Sequence, residues 1–164
     1  CKRVLELGTF AAYSTMWLAR ALPEDGYILT IEGRDTHAAI GQENIDKAQL
    51  KQTIELKCGR AADILKSLPA DIEPFDFIFI DADKQSYPEY LELSLNLSHS
   101  GTLIFLDNVI RAGDIINPEN HKPSIEGIRD MFKAMQNHPK ILSCTALQTV
   151  GSKGHDGFAL AIVK

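Results

Sequence analysis

Residues 75–90 read FDFIFIDADKQSYPEY, an apolar run that ends in Asp81, Asp83 and Lys84. A second apolar run, GTLIFLDNV over 101–109, ends in Asp107 and Asn108. Charges at the mouth of a core are costly to desolvate unless something binds or pairs them. Asp81, Asp107 and Asn108 offer hard oxygen donors, a set that suits Mg²⁺, Mn²⁺ or Ca²⁺ rather than zinc. Adjacent side chains in a strand point to opposite faces, so Asp107 and Asn108 share one ion only if the strand is already turning there. The competing reading makes Asp107 a cap and Asn108 a turn residue. Lys84 follows three residues after Asp81. Near a bound cation an ammonium charge is disfavoured, which suits a general base. The commoner fate of such a lysine is a surface ion pair.

Acids also end earlier apolar runs: Glu6 stands just before Gly8, and Glu32 closes TIE at 30–32. The turn GTFAAYS after the first run fails the G-x-G-x-x-G pattern, because Thr9, Phe10, Ala11 and Ala12 follow Gly8. The missing glycines are those that let backbone approach a pyrophosphate, and a ligand without phosphates does not demand them. Such a ligand still uses the free N–H groups that open the next helix, which attract a carboxylate. Glu32 follows Gly8 at the separation where an acid grips ribose hydroxyls. Together these features suggest a nucleoside with a carboxylate tail and a positive centre, the shape and charge of S-adenosylmethionine. On the plainer reading Gly8 only makes a strand-to-helix turn.

These residues need a scaffold that brings strand ends together. Strands are expected at 3–8, 27–33, 53–59, 75–82 and 101–109, with helices at 14–22, 36–50, 61–68 and 87–97 between them. A loop spans 110–123, and a further helix spans 124–138 with Ser124 as N-cap and Pro139 past its end. Strands at 141–150 and 157–164 close the chain around the turn GSKGHDG. This order predicts an α/β fold: a doubly wound, Rossmann-like, mostly parallel seven-stranded sheet with an antiparallel C-terminal hairpin. The apolar fourth and fifth strands suit cover on both faces. Trp17, with Met16 and Leu18, is expected in the core. Ligands in such sheets bind outside the carboxyl ends of the strands, where the acids lie.

The 164 residues predict a single domain over 1–164. The net charge of −5 gives a nucleic-acid partner no electrostatic support, and no apolar run is long enough to span a bilayer. Cys1, Cys58 and Cys144 form no CxxC pair and fit a reducing cytoplasm better than a disulfide framework. His37, His99, His121, His138 and His155 show no ligand spacing and are expected on the surface or in loops. The chain opens without Met, two residues before a strand, so a preceding N-terminal segment is expected to be absent from it.

LELGTFAAYS, TIEGRDTH, FDFIFIDADKQSYPEY and GTLIFLDNV resemble, in order and spacing, the cation-dependent class I O-methyltransferases. That family includes caffeoyl-CoA and catechol O-methyltransferases and their bacterial relatives. The resemblance covers essentially the whole chain; DADK with a downstream DN carries most of its specificity. It implies that Glu6, Gly8, Thr9 and Ser14 line the methionine end of S-adenosylmethionine and that Glu32 holds the ribose hydroxyls. Gly59 to Ala61 then lie along the adenine, and Asp83 contacts the cofactor. The implied metal ligands are Asp81, Asp107 and Asn108, and the implied catalytic base is Lys84. The substrate it implies is a small aromatic vicinal diol, and the assembly a homodimer. Three departures stand out: Ala12 where the family usually has Gly, Ile110-Arg111 where an aromatic commonly follows DNV, and no N-terminal helical segment. Arg111 is expected to face solvent. Two rival readings remain at this level, a non-catalytic S-adenosylmethionine-binding homologue and a nucleotide-linked oxidoreductase.

Overall fold

The computed structural model describes residues 1–152 and 154–164. Its elements are β1 (Arg3–Leu7), α1 (Tyr13–Ala21), β2 (Tyr27–Glu32), α2 (Asp35–Ala48), β3 (Thr53–Cys58), α3 (Ala61–Ser67) and β4 (Phe75–Ile80). They continue with a 3-10 turn (Lys84–Ser86), α4 (Tyr87–Asn96), β5 (Ser98–Asp107), a second 3-10 segment (Arg111–Ile116), α5 (Pro123–Gln136), β6 (Ile141–Gly151) and β7 (Gly154–Val163). The sheet has seven strands in the order β3-β2-β1-β4-β5-β7-β6. β7 runs antiparallel to β5 and β6, while β1 to β5 pair in parallel. The expected fold class is therefore the observed one.

The chain crosses from β1 to β2 on one side and returns to β4 on the other, so the strand order reverses between β1 and β4. That reversal opens a crevice at their carboxyl ends. The larger core lies beneath α3, α4 and α5, where Leu65, Leu91, Leu95, Ile128 and Met131 meet Leu5, Leu7, Ile78, Ile80, Ile104 and Leu106. Burying each large aliphatic side chain contributes about 1.5–3 kcal/mol, which holds the strand ends in register. On the opposite face, Ala19 of α1 and Leu22, the residue that caps it, pack on Val4 and Ile28.

Four details differ from expectation. β4 and β5 are not covered on both faces: Phe77, Phe79 and Phe105 line an apolar hollow of about 200 Å³ with Trp17 and Leu18. Trp17 and Leu18 of α1 border that hollow without filling it, so the apolar composition of β4 does not imply double cover. Trp17 is accordingly 56% exposed at the rim of the hollow, because the buried positions of α1 are Thr15 and Ala19. The N-cap of α5 is Lys122, not Ser124, since Pro123 already holds the dihedral of a first helical position and lacks the N–H that a cap would satisfy. The turn between the last strands is tighter than 151–157, because Gly151 and Gly154–Gly157 are already in the strands. Lys153 lies outside the described residues. Among the described residues, no helix is long and apolar enough to cross a membrane.

Candidate active site

β1 ends in a turn that needs unusual backbone. Gly8 has φ 105°, and a β-carbon there would stand 2.2 Å from the Asp81 carbonyl oxygen. Only glycine lets the end of β1 lie this close to the end of β4. Phe10 and Ala12 follow in the left-handed region at φ 45° and 61°. Strain of this kind concentrates where a turn serves a ligand. At Ala12 it marks a position that glycine would fill without strain.

Glu6 is fully buried beneath this turn. Its carboxylate accepts hydrogen bonds from the hydroxyls of Ser14 at 2.6 Å, Thr15 at 2.5 Å and Thr30 at 2.6 Å. Thr9 extends the chain, its hydroxyl 2.6 Å from that of Thr30. Burial pushes the Glu6 carboxyl above its ordinary range; the three hydroxyls oppose this, and the charge of Asp81 adds to it. A buried carboxylate with this strain on its charge is a natural partner for an incoming cation. Glu32 closes β2, and its oxygens accept the N–H groups of Phe10 at 2.8 Å and Arg34 at 3.0 Å. The same carboxylate lies 3.6 Å from His37, a histidine the sequence gave no reason to select. The Gly59 N–H donates to the Glu32 carbonyl at 2.8 Å, which joins the ends of β2 and β3, and buried Ala61 opens α3 just beyond. Asp83 accepts the Tyr90 hydroxyl at 2.6 Å. The expected cofactor residues Glu6, Gly8, Thr9, Ser14, Glu32, Gly59, Ala61 and Asp83 thus all lie along the carboxyl edge of β1 to β4.

The expected metal and base residues form a second group beside them. Ile80 and Leu106 are paired in register, so Asp81 and Asp107 are the next residues on adjacent parallel strands. Neighbouring strands lie about 4.8 Å apart. Asn108 has φ 55°, so the strand does turn at the point where Asp107 and Asn108 need it to. Lys84 is buried, and its ammonium donates to Asp81 Oδ1 at 2.8 Å. It is no surface lysine. Asp107 also acts as a local cap, since its Oδ1 accepts the Asn108 N–H at 2.7 Å. Burial pushes the Asp107 carboxyl above its ordinary range, and the charges of Asp81 and Asp156 push the same way. The Asn108 N–H and the Lys84 ammonium pull it back. Among the described residues, Asp81 Oδ2, Asp107 Oδ2 and Asn108 Oδ1 accept no hydrogen bond. An oxygen-only set carrying more carboxylate charge than Lys84 balances fits a hard dication.

Two residues absent from the expected set complete this corner. The Tyr87 hydroxyl lies 2.7 Å from the Asp107 carbonyl and 3.0 Å from that of Ile80. Burial pushes this phenol far above its usual range, with the charges of Asp81 and Asp107 adding to the shift, so it stays a proton donor. Asp156 Oδ1 accepts the N–H groups of Ile110 at 3.1 Å, Arg111 at 2.9 Å and Gly157 at 2.9 Å. It thereby pins the left-handed run that follows Asn108. A cleft of about 350 Å³ opens here, lined by Asn108, Arg111, Ala112, Asp114, His155 and Asp156. Arg111 is exposed, as expected.

The O-methyltransferase family model matches residues 1–161. A catechol O-methyltransferase of Niastella koreensis is 49% identical over 164 residues, covering 99% of this chain and 74% of that protein. A catechol O-methyltransferase of Mycobacterium tuberculosis is 40% identical, covering 99% of this chain and 72% of that protein. The crystal structure of the O-methyltransferase from Bacillus cereus in complex with SAH superposes with a TM-score of 0.95 at 47% identity, covering 99% of this chain and 74% of that one. The O-methyltransferase TomG of Streptomyces achromogenes, in complex with SAM, gives a TM-score of 0.94 at 39% identity, covering 99% of this chain and 73% of that one.

Proposed function

This chain belongs to the O-methyltransferase family, and from that premise we propose a dication-dependent methyl transfer to one hydroxyl of a small aromatic vicinal diol. The chain is an S-adenosylmethionine-dependent O-methyltransferase of the catechol and caffeoyl-CoA type. When bound, S-adenosylmethionine supplies a methyl group activated by its sulfonium, and a dication supplies a Lewis acid at the acceptor hydroxyl.

The chain's own residues divide the remaining work. Glu6, braced by Ser14, Thr15 and Thr30, offers a buried negative charge to the cationic methionine end. Glu32 binds the ribose hydroxyls with the lone pairs that Phe10 and Arg34 leave over. Gly59 and Ala61 border the adenine, and Asp83, held by Tyr90, meets the cofactor between the two groups. Asp81, Asp107 and Asn108 hold the dication. Lys84 Nζ, oriented by Asp81, would take the proton from the acceptor hydroxyl as a neutral amine and end the step as the ammonium. The gain lies in orienting acceptor and donor before reaction, a contribution that reaches about 7–11 kcal/mol in well-aligned systems.

One observation carries this reading. A buried lysine is hydrogen-bonded to an aspartate that stands in register with a second aspartate on the neighbouring strand. The test is methylation of catechol by the chain with S-adenosylmethionine, in Mg²⁺ and in excess chelator. Turnover that requires Mg²⁺ and returns on its addition is expected. Equal turnover in chelator contradicts the dication, and saturable cofactor binding without transfer to any phenol points to a binding module.

A further inference from the structure

β4 and β5 are laddered together as far as Ile80 and Leu106. The Asp81 N–H turns to β1, donating to the Leu7 carbonyl at 2.8 Å. The Val109 N–H turns the other way and donates to Gly157 of β7 at 2.9 Å. The two carboxylates proposed to share a dication therefore stand just past the last rung of the β4–β5 ladder. Tyr87 bridges the two strands there. Its side chain is fully buried, and its single phenolic proton faces the Ile80 carbonyl on one strand and the Asp107 carbonyl on the other. Its ring lies under the third partner, with Lys84 Nζ 4.8 Å from the ring centroid.

We infer that Tyr87 is the positioning residue of this corner. Its hydroxyl sets the separation of Asp81 and Asp107, and its ring face fixes the place of Lys84 Nζ. The inference rests on the dication reading above and deepens it. What sets this bridge apart is its place beside Asp81, Asp107 and Lys84. The buried Thr102 hydroxyl plays that plainer part at the far end of the same pair, donating from β5 to the Phe75 carbonyl of β4 at 2.7 Å.

The two hydroxyls make a matched experiment. Tyr87→Phe keeps the ring and removes the bridge at the site, while Thr102→Val removes the bridge at the other end. Mn²⁺ affinity is read by electron paramagnetic resonance and cofactor affinity by calorimetry, with melting temperatures for both variants. Tyr87→Phe is expected to weaken Mn²⁺ binding about tenfold or more, as loss of a supporting hydrogen bond behind metal ligands does. It is expected to leave cofactor affinity unchanged. Thr102→Val is expected to leave Mn²⁺ affinity unchanged even where its melting temperature falls as far. Unaltered Mn²⁺ affinity in Tyr87→Phe overturns the inference. Equal loss in both variants, or failure of Tyr87→Phe to fold, also overturns it, since either assigns the hydroxyl to the sheet as a whole. An unmodified protein that takes up no Mn²⁺ defeats the dication reading itself, a result distinct from the others.

Discussion

Gly127 of α5 lies so close to Lys84 that a β-carbon there would stand 2.3 Å from the Lys84 carbonyl oxygen and 2.6 Å from the Gln85 Cα. The proposed base is thus held from two directions. Asp81 takes its ammonium, and α5 presses on its backbone from behind. Neither backbone carbonyl nor Cα can rotate away as a flexible side chain can, so any side chain at 127 must displace the turn that carries Lys84. Gly127→Ala is expected to cost about 1–3 kcal/mol of stability, as overpacking does, and to lower turnover about tenfold or more. Cofactor affinity, set mainly at β1 and β2, should hold. Steady-state kinetics beside cofactor calorimetry check this, and unchanged turnover would break the link between α5 and the base.

Glu6 should show opposite pH effects on stability and on binding. Its carboxyl is raised above the ordinary range in the folded chain, so the native state binds its proton at higher pH than the unfolded state does. Stability from this group therefore rises as pH falls through the native value and levels off below the unfolded one. Cofactor affinity should fall over the same interval, because the neutral acid no longer attracts a cationic ligand. Glu6→Gln should mimic the acid limit at neutral pH, with a melting temperature at or above that of the unmodified protein and weaker S-adenosylmethionine binding. A variant that binds the cofactor as tightly as before would remove Glu6 from the cofactor site.

Ala12 carries a left-handed dihedral with a β-carbon in place. That conformation costs an L-residue about 1–2 kcal/mol, against about 0.4–1 kcal/mol lost when glycine loosens the unfolded chain. The first term wins. Ala12→Gly is expected to raise the unfolding free energy by about 0.5–1 kcal/mol, read as a higher urea midpoint at constant slope. A lowered midpoint would mean that the buried methyl of Ala12 packs better than its backbone is strained.

Much of this architecture was legible before any coordinates. Alternating apolar runs and amphipathic stretches placed every α-helix and strand to within a few residues, though not the short 3-10 segments, because parallel strands and their crossovers have distinct periods. The acids at the strand ends marked the crevice, because a charge terminating an apolar run has few cheap explanations. Cover was not legible: Phe77, Phe79 and Phe105 carry the composition of a doubly buried strand, yet one face of that region is open. Trp17 misled in the same way, because a local apolar cluster does not say which side of the helix meets the sheet. The supporting polar groups also stayed hidden. Thr30 within the otherwise apolar run YILTI was a usable signal of a buried hydroxyl with a partner. Tyr87 gave none, since a tyrosine at a helix start reads as ordinary packing. Asp156 sat inside a glycine-rich stretch that reads as a turn, and its three N–H partners come from distant and neighbouring chain alike.

The most direct measurement is anomalous diffraction at the manganese edge from crystals grown with S-adenosylmethionine and Mn²⁺. One peak is expected, within about 2.0–2.6 Å of an oxygen from each of Asp81, Asp107 and Asn108. The same peak should vanish in Asp107→Ala while the cofactor density remains. A peak elsewhere, or cofactor density with no metal between those oxygens, would contradict the account.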